Sequence, residues 1–252
     1  MPEKQESSLM QLLSKTHPKP LETQAKKSRY SRDKGLLWFA DQLEEGIYKT
    51  ANVNPHVSSG VQSFHCSAIG NPCDRYLWLH WNRLLPDEDI DQVKQRIFDH
   101  GSAAEERYTK YFEHGIMYIE REVRATNENP PISGRADFIL TSAKAGIKRF
   151  VVELKTINSR GFDGLSTPKP EHEIQLQSYL NMLDYPFGIV LYENKDTQKV
   201  KMFQIDKDPA AWQLVIDRAE RIMSTKKMPT LKSVDGPNHP NWCNCRGVED
   251  DE

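Results

Sequence analysis

Long apolar runs are missing from this chain of 252 residues. No stretch is long enough to cross a bilayer, and the start carries no secretory signal, so the expectation is cytoplasmic residence without a membrane partner. A dominant charge is missing too. Lys and Arg number 34 and Asp and Glu 36, a net charge of −2. That excludes a global basic field, and any polyanion must be held by local patches. Cysteine is scarce, with only Cys66, Cys73, Cys243 and Cys245. In a cytosolic chain such residues are not expected to form disulfides. No internal repeat is present. The length suits one domain, and there are enough Val, Ile, Leu, Phe and Trp residues for a real core.

What is there falls into three parts. Residues 1–35 are polar and rich in Lys and Arg and read as a disordered basic arm, in which Lys26, Lys27, Arg29, Arg32 and Lys34 are candidate phosphate contacts. Residues 36–227 carry the periodic patterns of a folded domain. Residues 228–252 read as an irregular tail with a Cys pair and an acidic end. Within the domain, helices are expected over Leu36–Tyr48, Cys73–Leu85 and Ile90–His114, the last with Val93, Ile97, Ala104, Tyr108 and Phe112 as its buried stripe. Pro86 ends the second of these. The period then changes. Ile116–Ala125, Ile132–Thr141 and Arg149–Ile157 predict an antiparallel meander. Asn158–Pro170 reads as a loop, Glu171–Leu183 as a helix, Phe187–Glu193 and Lys199–Ile205 as strands, and Pro209–Ser224 as a final helix. This order fits an α/β or α+β layer fold with a central mixed sheet flanked by helices.

Chemistry concentrates in two segments, Gly134-Arg135-Ala136-Asp137 and Val151-Val152-Glu153-Leu154-Lys155. Glu153 and Lys155 are two apart, so on a strand they share a face while Val152 and Leu154 turn to a core behind. Acids on adjacent strands offer hard oxygen ligands to a divalent cation. A lysine beside them can orient water and offset charge on phosphate. Glu105, four residues after Gly101 on the long helix, is a third acid. Gln175 and Tyr179 are one helical turn apart on one face, with Leu176, Leu180 and Leu183 on the buried side. A Glu-x-Lys pattern alone is common on solvated strand faces. All four patterns in order, on fitting elements, are not.

Read together, Gly-x-x-x-Glu, Gly-x-x-Asp, Glu-x-Lys and Gln-x-x-x-Tyr resemble the PD-(D/E)XK nuclease superfamily, in particular its RecB-like and phage exonuclease branch. The resemblance covers about Cys66 to Ile205 and implies a restriction-endonuclease-like core. It implies that Asp137, Glu153 and the Leu154 carbonyl ligate Mg²⁺ or Mn²⁺, with Glu105 completing the site directly or through water. Lys155 would position the attacking water, Gln175 would hold the catalytic strand or the lysine, and Tyr179 would lie along the DNA. Many RecB-like relatives carry His as the first ligand. Glu105 in that place looks more like the lambda-type exonucleases, and the adjacent His100 points elsewhere on a helix.

The implied activity is metal-dependent phosphodiester hydrolysis from DNA ends, in phage or mobile-element recombination and repair (in host cytoplasm if phage-encoded). A structure-specific endonuclease and a non-cleaving DNA-binding or assembly factor are the alternatives on the same fold. DNA is the implied partner, and a homo-oligomer and a recombination partner protein stay open. Arg160, Lys169, Lys195 and Lys199 are further candidate phosphate contacts. Some RecB-like nucleases hold an iron–sulfur cluster with one Cys before the nuclease core and three after it. Cys73 resembles the leading one, so Cys66, Cys73, Cys243 and Cys245 would hold [4Fe–4S] or Zn²⁺. The alternative for these four is plain buried thiols.

Overall fold

The computed structural model describes residues 41–47, 49, 62–85, 91–114, 117–142, 149–231 and 243–248. The expected basic arm and most of the expected irregular tail lie outside the described residues. The chain divides into two units: residues 1–56 with 90–97, and residues 57–89 with 98–252. In the first, residues 41–47 are helical, inside the span that the Leu36–Tyr48 pattern predicts.

The second unit is built on a sheet of six strands. Its elements are β1 (Phe64–His65), α1 (Cys66–Ile69), α2 (Asp74–Trp81), α3 (Gln92–His114, entered from the first unit), β2 (Met117–Asn127), β3 (Ile132–Ser142) and β4 (Phe150–Ile157). Then follow α4 (Ser159–Asp163), α5 (Pro170–Met182), β5 (Phe187–Asn194), β6 (Val200–Asp206), α6 (Pro209–Ser224) and a 3-10 turn at Asn244–Gly247. β2, β3 and β4 form the antiparallel meander that the alternation predicts. β4 and β5 run parallel, joined by the α4–α5 crossover, and β6 returns antiparallel.

One edge of β3 is shared. Its first residues, Ile132 and Ser133, pair parallel with β1, while Phe138, Ile139 and Leu140 pair with β4. Between these two ladders, Gly134 to Asp137 face no strand on that edge. The sheet forks there, and the fork is where the acids sit.

Apolar residues close both faces. On one, Leu77, Leu176, Leu180, Val190, Val215 and Ile222 pack α2, α5 and α6 against the sheet. On the other, Ala104 and Tyr108 of α3 meet Phe138, Leu140, Val152, Leu154 and Leu191. Val152 and Leu154 thus turn away from Glu153 and Lys155, as a strand's two-residue period requires.

Several expectations change. α2 stops at Trp81, because Asn82 folds its amide back onto the Trp78 carbonyl and Arg83 takes a left-handed φ of 58°. The buried stripe of α3 covers Ala104 and Tyr108, but Val93 is 42% and Ile97 50% exposed. Both belong to the first unit. The segment after Asn158 is not all loop: Asn158 caps α4 by accepting from the Gly161 N–H at 2.9 Å. β1, α1 and the 3-10 turn are too short to leave a period in sequence. The whole is a mixed α/β fold whose helix-flanked mixed sheet is consistent with a restriction-endonuclease-like core.

Candidate active site

Where β3 and β4 part, the Leu154 N–H has lost its ladder partner on that side. Asp137 replaces it, its Oδ2 accepting from Leu154 N at 2.8 Å. One residue back, Glu153 points to the α5 face and is fully buried. Its Oε1 accepts from Lys155 Nζ and from Gln175 Nε2, both at 2.7 Å. Gln175 turns its own oxygen to Lys155 Nζ at 3.1 Å and donates to the Tyr179 hydroxyl at 3.2 Å. Glu153, Lys155, Gln175 and Tyr179 are therefore one network, spread over a strand and the helix that covers it.

The other Glu153 oxygen, Oε2, is buried without a partner among the described residues. An orphan carboxylate oxygen is costly in a core, and it marks a place where something positive belongs. The electrostatics agree. Burial pushes Glu153 up to about 8, with Asp137 and Glu105 adding to the shift and Lys155 opposing it. Burial likewise raises Asp137 to about 6 against the pull of Lys155. Glu105 rises to about 7, from burial and then from the charges of Asp137 and Glu122. Three acids thus repel one another around one point. Burial works against the charge on Lys155, but Glu153 and Asp137 outweigh it and hold its pKa above the ordinary lysine value. The donor set, three carboxylates with one oxygen to spare, fits a hard divalent cation.

The structure brings Glu105, Asp137, Glu153, Lys155 and Gln175 together. Tyr179 it places differently. At 2% exposure, with its hydroxyl accepting from Gln175, Tyr179 lies buried beneath the site and not open on its surface. It supports the glutamine instead. Gly134 is needed at the fork: a Cβ there would come within 2.8 Å of Cys66 Sγ and 2.9 Å of Tyr179 Cε1. At Gly101 a Cβ would meet nothing within 4 Å.

Sequence reasoning missed three neighbours. Glu122 falls opposite Asp137 in the β2–β3 register, takes a left-handed φ of 52° and pairs with Arg135 at 2.7 Å. Its charge acts on both Glu105 and Asp137. Tyr192, level with Lys155 across the β4–β5 ladder, accepts the Lys169 N–H at 3.0 Å. His172 Nδ1 lies 2.7 Å from that hydroxyl. Only strand register and the crossover's path reveal these three, and neither is written in local spacing.

The cysteines divide otherwise than expected. Cys73, Cys243 and Cys245 converge, their sulfur atoms 3.5 Å apart for Cys73 and Cys245 and 3.3 Å for Cys243 and Cys245. Cys66 is not with them. It packs behind Gly134 at the acid site, where burial and then the charge of Glu153 push its thiol up. The expectation of a four-thiol set including Cys66 is corrected to three, because α1 turns Cys66 toward β3 while Cys73 caps α2. Arg75, fully buried, ties the same region together through the carbonyls of Pro229, Cys245 and Val248.

No family model matches the chain, and no curated protein matches it. Among solved structures it is similar to SSO0001, with a TM-score of 0.54 and 18% identity over 84% of this chain and 95% of that one. It is also similar to LHK-Exo, an alkaline exonuclease from Laribacter hongkongensis, with a TM-score of 0.47 and 11% identity over 64% of this chain and 86% of that one. The complex of LHK-Exo with dAMP gives 0.44 and 13% over the same shares, 64% and 86%. The likeness to SSO0001 concerns the fold alone.

Proposed function

We propose that the protein is a Mg²⁺- or Mn²⁺-dependent deoxyribonuclease that hydrolyses phosphodiester bonds from DNA ends. The observation that carries this is the convergence of Glu105, Asp137 and Glu153 around an unpartnered carboxylate oxygen, with Lys155 anchored beside them. Action from ends is taken from the motif resemblance to phage exonucleases.

Glu105, Asp137, Glu153 and the Leu154 carbonyl would hold the cation, which when bound supplies charge to the phosphate and lowers the pKa of water. Lys155, held from two sides by Glu153 and Gln175, keeps its proton. It therefore serves as a fixed positive charge that orients the attacking water and offsets the developing negative charge, not as a proton acceptor. Gln175 fixes the lysine, and Tyr179 fixes Gln175. Val152, Leu154 and α3 close the far side of β4 behind the strand that carries both groups.

The test is cleavage of linear and covalently closed circular DNA, single- and double-stranded, with Mg²⁺, Mn²⁺ or EDTA. Metal-dependent loss of linear DNA alone, abolished by Asp137→Ala and Lys155→Ala, is the expected result. Cutting of circles moves the assignment to an endonuclease. Binding without cleavage in any metal overturns the enzyme.

For the second cluster, we propose that Cys73, Cys243 and Cys245 hold a thiophilic metal. Zinc–thiolate bonds of about 2.3 Å put sulfur atoms roughly 3.8 Å apart in a tetrahedron. The observed 3.3 and 3.5 Å are nearer to that than to sulfurs borne by separate irons of a cluster. Zn²⁺ is therefore favoured over [4Fe–4S]. Protein purified without chelator and containing neither zinc nor iron would remove the assignment.

A further inference from the structure

His172 stands one turn before Gln175 on α5, and nothing in the hydrolytic scheme uses it. Its surroundings are built. Tyr192, fully buried on β5, offers one hydroxyl to two nitrogens: the Lys169 N–H at 3.0 Å and His172 Nδ1 at 2.7 Å. The hydroxyl has one hydrogen to give. If both nitrogens donated to it, that hydrogen would have no acceptor among the described residues, inside a core. The Lys169 amide can only donate. The hydroxyl hydrogen therefore goes to Nδ1, which accepts, and the ring proton sits on Nε2. Nε2 has no partner among the described residues.

Charge decides what this N–H is for. Burial, then the ammonium groups of Lys155 and Lys169, hold His172 down at about 3, so the ring is neutral wherever the enzyme would work. Two lysines facing the imidazole disfavour a metal ion at Nε2 and favour an anion. The groups acting on the ring thus share the lysine of the acid site. A neutral N–H with its tautomer locked, set in a positive field beside Lys155, suits a phosphate oxygen.

We propose that His172 is a substrate-contacting residue whose Nε2–H donates to a non-bridging phosphate oxygen of the DNA strand held at the acid site, with Tyr192 fixing the tautomer. This rests on the nuclease reading above. Glutamine carries an N–H to about the reach of Nε2, whereas asparagine reaches only as far as Nδ1, so the two amides separate the ring's ends.

The experiment uses full-length protein and fluorescently labelled linear DNA. Anisotropy in EDTA gives affinity, and cleavage with Mg²⁺ gives KM and kcat, for wild type, His172→Ala, His172→Asn and His172→Gln. A donor to a charged phosphate predicts that Ala and Asn weaken binding and raise KM by roughly ten- to a hundredfold. kcat should change less, the thermal midpoint should hold, and Gln should lie close to wild type. Tyr192→Phe should fall between, since the ring can then take either tautomer. Equal losses for Gln and Ala, or none for either, overturn the proposal. Wild-type cleavage with unaffected variants overturns the His172 contact alone. Binding without cleavage, weakened by Ala and kept by Gln, retains the contact and overturns the nuclease. Protein that neither binds nor cleaves DNA overturns both.

Discussion

Glu153 bears two opposed duties. One oxygen anchors Lys155 and Gln175, and the other is left over in a core. The raised carboxyls around it mean that folding takes up protons. Between the ordinary carboxylate range and about 8 the native chain binds more protons than the unfolded one, so stability falls as pH rises. In EDTA the thermal midpoint should therefore drop across that window, and Mg²⁺ should restore it most at the alkaline end. Glu153→Gln removes the most buried of these charges. It should abolish cleavage and yet raise the midpoint above wild type at pH near the top of the window. A wild-type midpoint flat with pH in EDTA would contradict this. Cation affinity should rise with pH for the same reason, because the ligands must shed protons first.

Elements show how close packing transmits to the site. α5 lies on the β4–β5 pair, and Gly188 sits directly under its Leu176 side chain. A Cβ on Gly188 would reach 2.8 Å from Leu176 Cδ1 and 2.9 Å from the Val151 carbonyl. The carbonyl belongs to the sheet and cannot yield. Gly188→Ala should thus cost about 1–3 kcal/mol in denaturant unfolding. It should also lower cleavage, since Leu176 adjoins Gln175 and the helix must lift. Gly101 sits in α3 with open space around it, and Gly101→Ala should leave the fold intact or add about 0.4–1 kcal/mol. A motif glycine that tolerates a methyl group and one outside every motif that does not would separate packing from pattern.

At the scale of the molecule, the pieces far apart in sequence are drawn in by buried polar anchors. Arg75 on α2 reaches carbonyls more than 150 residues away. Arg75→Ala would leave the Pro229, Cys245 and Val248 carbonyls without that donor. It should cost about 3 kcal/mol or more and release metal from the neighbouring thiols, as elemental analysis would show. None of this was legible beforehand, because a buried arginine looks like any other charge on a helix. The sheet strands and α5 were legible, since alternation and the 3.6-residue period are strong there. So were Asp137, Glu153, Lys155 and Gln175, whose spacing reflects strand and helix geometry directly. Tyr179 shares the face of Gln175 as its spacing requires, but its depth was not legible, for spacing tells which residues share a face and not how deep it lies. Cys66 and His172 depend on tertiary neighbours that no local pattern encodes.

The parallel pairing of β4 with β5 has a consequence for synthesis. Two parallel strands can be joined only after the whole crossover has been made, so Glu153 and Lys155 leave the ribosome well before Gln175, and β5 follows later still. A nascent chain that has reached β4 owns its acids but lacks the glutamine that pins the lysine, the tyrosine beneath it, and the strand that closes β4's open edge. On the nuclease reading proposed above, hydrolytic competence waits until α5 and β5 have both been made.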